Sequence, residues 1–174
     1  MAASETRAWN QAQPLEGYNL FTTNRPLVDA VRREGGGWAE KRLSALGYEL
    51  GGEPLHWGEL ANRNAPQLRT HDRFGHRIDE VEFHPAWHSL LDLAVRHGIH
   101  SLPWREQRPG AHVARAAAMI TLSQAEAGVG CPVSMTYAAV PALRRSAPEL
   151  AAEWEPRLTS LEYDFGLRPT DHKR

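Results

Sequence analysis

The stretch from Ala111 to Leu143, AHVARAAAMITLSQAEAGVGCPVSMTYAAVPAL, constrains the fold more than any other part of the chain. At about 100° per residue, His112, Arg115, Ser123 and Glu126 share one narrow arc of a helix. Val113, Ala116, Ala117, Ala118, Ile120 and Leu122 spread over most of the remaining circumference. A helix with so little polar surface has to be covered on several sides. Gly128 and Gly130 supply a stop, and Cys131-Pro132 starts a second apolar run with proline in the first turn, where a missing N–H is tolerated. Two central helices with small faces are expected. The alanines, with Ser134, Thr136, Ala138 and Ala139, allow close backbone approach; such a pattern is core packing more often than a ligand slot, and periodicity alone does not choose.

Upstream, Asn24 is placed to cap a helix opening at Arg25-Pro26, with Leu27, Ala30 and Val31 on one face and Gly35-Gly36-Gly37 as its stop. A second helix runs from Trp38 through Leu43, Leu46 and Leu50, and Pro54 opens a short third helix with Trp57, Leu60 and Ala61. The period then changes: Leu68 and Thr70 alternate, Asp72-Arg73-Phe74-Gly75 has turn chemistry, and Asp79, Val81 and Phe83 fall two apart, which predicts a β-hairpin. His84-Pro85 opens an amphipathic helix through Trp87, Leu90, Leu91, Ala94 and Val95, stopping at Gly98. Leu102 to Gly110 reads as a loop. After the central pair, Ser146 and Glu149 have the form of a capping box, and Pro156 is expected to end the last helix early. Met1 to Thr22 reads as an extended arm of which Tyr18 to Phe21 docks.

Length and charge narrow the function classes. A chain of 174 residues can bury a sizeable core, and its 20 Lys+Arg against 21 Asp+Glu give no electrostatic case for nucleic-acid binding by the chain as a whole. Its one cysteine excludes an internal disulfide framework and fits a reducing compartment. No apolar run approaches the ~20 residues needed to span a bilayer. The first residues lack the apolar core of a secretory signal, so a cytoplasmic protein with no membrane partner is expected.

Three constellations could carry chemistry. His84 and His88 lie four apart, a spacing at which two imidazoles can share a metal, with His71 or His76 as a third ligand. Pro85, however, occupies the position where a zinc protease carries glutamate, so helix capping and surface hydrogen bonding are the expected roles and no metal is expected. Cys131 at a helix start could have its thiol acidified, but a small buried residue is the expectation. The triple glycine is read as a helix–helix turn, because Trp38 stands where a phosphate loop needs lysine.

Longer words carry more. Gln13-Pro14-Leu15-Glu16, Arg69 to Gly75 (RTHDRFG), Asp79 to His88 (DEVEFHPAWH), Arg108 to Ala117 (RPGAHVARAA) and Cys131 to Ala139 (CPVSMTYAA) occur in this order. Together they resemble the N-terminal region of the AidB-type adaptive-response proteins, a branch of the acyl-CoA dehydrogenase family.

The resemblance implies an all-α fold, the helical N-terminal domain of the acyl-CoA dehydrogenase type, with a small β-hairpin around residues 67–83. It divides the chain into an arm (1–22), a helical domain (23–158) and a connection (159–174) toward an absent flavin-binding β-domain. FAD is the cofactor of the full-length family, and none is expected on this chain alone. The flavin-binding words, the catalytic carboxylate and the DNA-binding surface of the branch fall outside it, so no catalytic residue carries over. Met135, Thr136 and Tyr137 are the candidates for facing the substrate cavity. The implied partners are the β-domain, in trans if need be, and further copies of the chain; DNA would be met only through regions absent here. A free-standing helical interaction module without catalysis is the alternative.

Overall fold

The structure, a computed structural model, describes residue 12 and residues 14–166. Most of the expected arm and the second half of the expected connection lie outside the described residues. Eight α-helices and one hairpin follow in the order α1 (Arg25–Arg33), α2 (Glu40–Leu50), α3 (Glu53–Arg63), β1 (Gln67–His71), β2 (Arg77–Glu82), α4 (Pro85–Arg96), α5 (Leu102–Arg105), α6 (Ala111–Ala125), α7 (Gly130–Ser146) and α8 (Pro148–Leu158). A 3-10 turn at Gly37–Ala39 leads into α2. The expected fold class is what forms.

The local signals act as their chemistry requires. Asn24 Oδ1 accepts from the Leu27 N–H at 3.3 Å, and His84 Nδ1 accepts from Ala86 N–H at 3.1 Å, so each caps the helix that follows it. In the hairpin, β1 and β2 pair antiparallel with Leu68 opposite Val81, and Asp72 Oδ1 accepts from the N–H groups of Phe74 (2.8 Å) and His76 (2.9 Å) to close the turn. Every strand residue is exposed.

Close approach at two glycines sets the packing. Leu20 and Phe21, fully buried, sit in a turn held by Asn19, whose Oδ1 accepts from Phe21 and Thr22 N–H and whose amide donates to Ser44 O at 2.9 Å. That turn presses on α2 where Gly47 has no side chain; a Cβ there would lie 2.5 Å from Phe21 N. Gly58 of α3 meets the end of α6 the same way, with Ala125 O at 2.1 Å from where a Cβ would stand. Around these contacts α2 packs on α6, α3 on α4 and α7 on α8. Leu43, Leu46, Leu50, Leu90, Leu93, Ile99, Leu122, Val129 and Val133 fill the space between, each 2% exposed or less.

Several local expectations are corrected. Leu102 to Arg105 is a helical turn rather than loop, because Leu102 and Pro103 are buried and the turn is tied by Glu106 N–H to Leu102 O. Ser146 is the last residue of α7, so it cannot cap α8; Ala147 separates the two helices, and Pro148 needs no N–H acceptor in the first turn. Pro156 lies inside α8, which continues to Leu158; the proline sits in the last turn on an exposed face where water can satisfy the carbonyl it leaves unpaired. Glu126 leaves the polar arc altogether. The helix ends at Ala125, and Glu126 turns inward, 6% exposed, accepting from Gly128 and Val129 N–H at 2.6 and 2.8 Å. Cys131 is exposed rather than buried, because α7 is phased with Val133 and Val140 inward.

Gly58→Ala forces a methyl group into a backbone carbonyl and is expected to destabilise the fold by about 1–3 kcal/mol. Gly52→Ala, where the nearest atom is 3.6 Å away, is expected to stay within about 0.5 kcal/mol. Denaturant unfolding of the two variants checks both.

Candidate functional site

Two surfaces are candidates: the outer side of α7 and a groove at the hairpin. On α7, consecutive residues point about 100° apart, so Met135, Thr136 and Tyr137 cannot share one direction. The structure places Met135 outward, 69% exposed. Thr136 is half-buried and its hydroxyl donates to Pro132 O at 3.1 Å. Tyr137 turns toward α5 and α6: its hydroxyl and His112 Nδ1 are 2.6 Å apart, the Trp104 indole N–H donates to its carbonyl at 3.0 Å, and the Arg115 guanidinium stands 4.1 Å from its ring centroid. Burial lowers the Arg115 pKa from its ordinary value. Of the three, Met135 is the side chain open to an occupant.

Met135 does not stand alone. Cys131, Met135, Ala138 and Ala142, spaced 4, 3 and 4 apart, are all exposed and form one stripe along α7. On α6, Ala116 and Ile120 are exposed as well, Ile120 by 49%. Both helices thus carry small or apolar side chains on surfaces that nothing among the described residues covers.

The second candidate is a groove of about 710 Å³ between β2, the start of α4 and residues 163–166. Phe83 stacks on Trp87 with ring centroids 4.1 Å apart, and His88 meets Trp87 and Phe165 edge-on at 5.1 and 4.4 Å. Sequence reading passed over Phe83, Trp87, Tyr163 and Phe165 as a site. The signal was the word FHPAWH, weighed for its histidines and not for its rings.

His84 and His88 do not come together on a metal. His84 caps α4 through its Nδ1, and His88 Nδ1 is hydrogen-bonded to the Tyr163 hydroxyl at 2.7 Å. Among the described residues no group of three or more His, Cys, Asp or Glu side chains is placed to hold a metal ion.

Two histidines fasten the segment after α8. His100, 4% exposed, has Nε2 2.9 Å from Ser160 O; a carbonyl only accepts, so Nε2 carries the proton and Nδ1 is a bare lone pair, buried without a hydrogen-bond partner among the described residues. Burial lowers the His100 pKa, the Arg105 and Arg115 charges act in the same direction, and the bond to Ser160 opposes them. His88 is also lowered by burial, and Tyr163 is raised by it. Both imidazoles therefore favour the neutral form when folded. Their contribution is fully present above the unfolded histidine value of about 6.5 and is lost as pH falls through the lower folded values. Hydrogen exchange of residues 160–163 is expected to accelerate as pH falls below about 6.5 after correction for intrinsic rates, and His100→Gln, which keeps an N–H donor but cannot be charged, is expected to flatten that dependence.

Known proteins agree with this architecture. The family model described as the adaptive response protein AidB N-terminal domain matches residues 10–165. AidB of Escherichia coli (strain K12), an acyl-CoA dehydrogenase-like protein, is 44% identical over 168 residues, covering 95% of this chain and 31% of the relative. Acyl-CoA dehydrogenase family member 11 of Caenorhabditis elegans is 30% identical over 103 residues, 58% of this chain and 17% of the relative. The chain therefore spans less than a third of the length of the curated relatives it matches. Among solved structures, Bd2924 in its apo form superposes with a TM-score of 0.78 at 24% identity, covering 87% of this chain and 31% of that one. Caenorhabditis elegans ACDH-11 in complex with C11-CoA superposes with a TM-score of 0.77 at 24% identity, covering 93% and 29%. The family model spans every element from α1 to α8, and the chain belongs to the family of the adaptive response protein AidB N-terminal domain.

Proposed function

We propose that this chain serves as one wall of a cavity beside FAD in an AidB-like, acyl-CoA dehydrogenase-type flavoprotein of the alkylation response, acting in the cytoplasm. The observation that carries the reading is the exposed stripe of Cys131, Met135, Ala138 and Ala142 on α7. Small and apolar side chains on the outer face of a central helix suit a surface that meets another domain or an acyl chain, and water is a poor partner for them.

The triple-glycine turn does not fit a holder of FAD phosphates. A dinucleotide needs backbone N–H groups open to its phosphates. In the triple-glycine turn, Gly35 N–H and Gly36 N–H are already bonded to Arg32 O and Val31 O, and Gly36 is packed against Val31 and Val113. On this reading the oxidising group, the base for α,β-dehydrogenation of an acyl thioester and any DNA-binding surface come from other segments of the full-length protein. What this chain supplies is shape, with Met135 and its small neighbours facing the cavity and further copies of the chain as additional partners.

Mixing the chain with the remaining two domains of an AidB-type protein, expressed separately with FAD, tests the reading. A complex that migrates as one species and holds flavin absorbance is expected, and Met135→Glu is expected to weaken association at least about tenfold while leaving the melting temperature of the isolated chain nearly unchanged. Absence of any complex, with the chain binding only itself or other proteins, would instead support the free-standing interaction module.

A further inference from the structure

A second recess lies away from the α7 stripe. It measures about 370 Å³ and is lined by Trp104, Gln107, Arg108, His112 and Arg144, and otherwise by two prolines and an alanine. Among the described residues no carboxylate lines it, although acidic residues slightly outnumber basic ones in the chain, 21 to 20. Arg108, Arg144 and His112 are each held by a partner outside the recess. The Arg108 guanidinium stands 4.1 Å from the centroid of the Trp38 ring, and that ring is anchored by its indole N–H donating to Pro109 O at 3.0 Å. Arg144 is gripped by Glu155 through its Nε and one Nη, which orients the guanidinium and leaves its other Nη without a hydrogen-bond partner among the described residues. His112 is held at Nδ1 by the Tyr137 hydroxyl, which leaves Nε2 as its second polar atom.

We propose that this recess binds a phosphate-class oxyanion. Two guanidinium groups, an imidazole and a primary amide share one concave surface with several N–H donors; Glu155 offsets the charge of Arg144, the net positive charge is that of Arg108, and no carboxylate lines the recess to repel the ligand. The volume admits a mono- or diphosphate with a small organic group. Arg108 is pre-positioned by its stack on Trp38 and does not have to be ordered on binding. The inference is independent of the cavity-wall reading, since Tyr137 and Arg144 occupy a different face of α7 from Met135.

The test is an NMR titration of the 174-residue chain with inorganic pyrophosphate at constant ionic strength. Saturable shifts of the Gln107, Arg108 and His112 amides are expected, with affinity weakened at least about tenfold in Arg108→Gln and lost in Gln107→Glu, which places a carboxylate in the recess. Both positions are exposed, and thermal melts of the variants confirm that each is folded. Shifts reproduced by sodium chloride alone, or binding unchanged in both variants, would overturn the proposal. So would adenosine moving the same signals as strongly as pyrophosphate, because recognition would then lie with the aromatic rings.

Discussion

The covering of α6 is the constraint on which the rest of the structure depends. Its apolar residues run over most of the helix circumference, and burial of that surface is a large favourable term in folding. α2 takes one side with Leu43 and Leu46, Gly36 meets Val113, Gly58 meets the carbonyl end at Ala125, and Gly130 meets Met119. The glycines matter because an alanine-rich helix presents little relief for side chains to interlock with; contact has to come from backbones drawing close.

Among the described residues that covering is incomplete, and the uncovered side is the surface on which the proposed cavity wall rests. Ala116 and Ile120 on α6, and the Cys131–Ala142 stripe on α7, are left facing outward by the same helical phasing that buries Ala114, Ala117, Leu122, Val133 and Val140. A domain whose central helices are covered on only part of their circumference is suited to complete its core against something else. The polar groups behave in the opposite way: Glu126, His100 and Asn19 are drawn in to satisfy or fasten backbone, and each closes a connection that would otherwise be loose.

Much of this was legible from local chemistry. The helices with a side-chain cap, α1 and α4, are readable because capping depends on neighbours within a few residues: Asn24 and His84 act on the N–H groups immediately after them. The hairpin was readable from its turn, since Asp72 closes it through its own side chain. The failures share a different cause. Glu126 is misplaced by a helical wheel continued past the point where the helix ends, Cys131 by the usual burial of its residue type without regard to the phase of α7, and Ser146 by a capping pattern that ignores how far α7 extends. Pro156 was judged by its missing N–H without knowing that the bond it forgoes lies on a wet face.

The sequence by itself determined the fold class, the capped helices, the hairpin and, through its longer words, the family. Those depend on backbone hydrogen bonding and period, which act over a few residues. Only the tertiary structure decided that Met135 faces out while Tyr137 joins Trp104, His112 and Arg115. It likewise decided that His88 and His100 grip residues 160–163 and that Arg108 and Arg144 share one recess. Such pairings join residues as many as 75 positions apart, as His88 and Tyr163 are, and which of them meet is set by how helices pack, a matter of shape that no local pattern encodes.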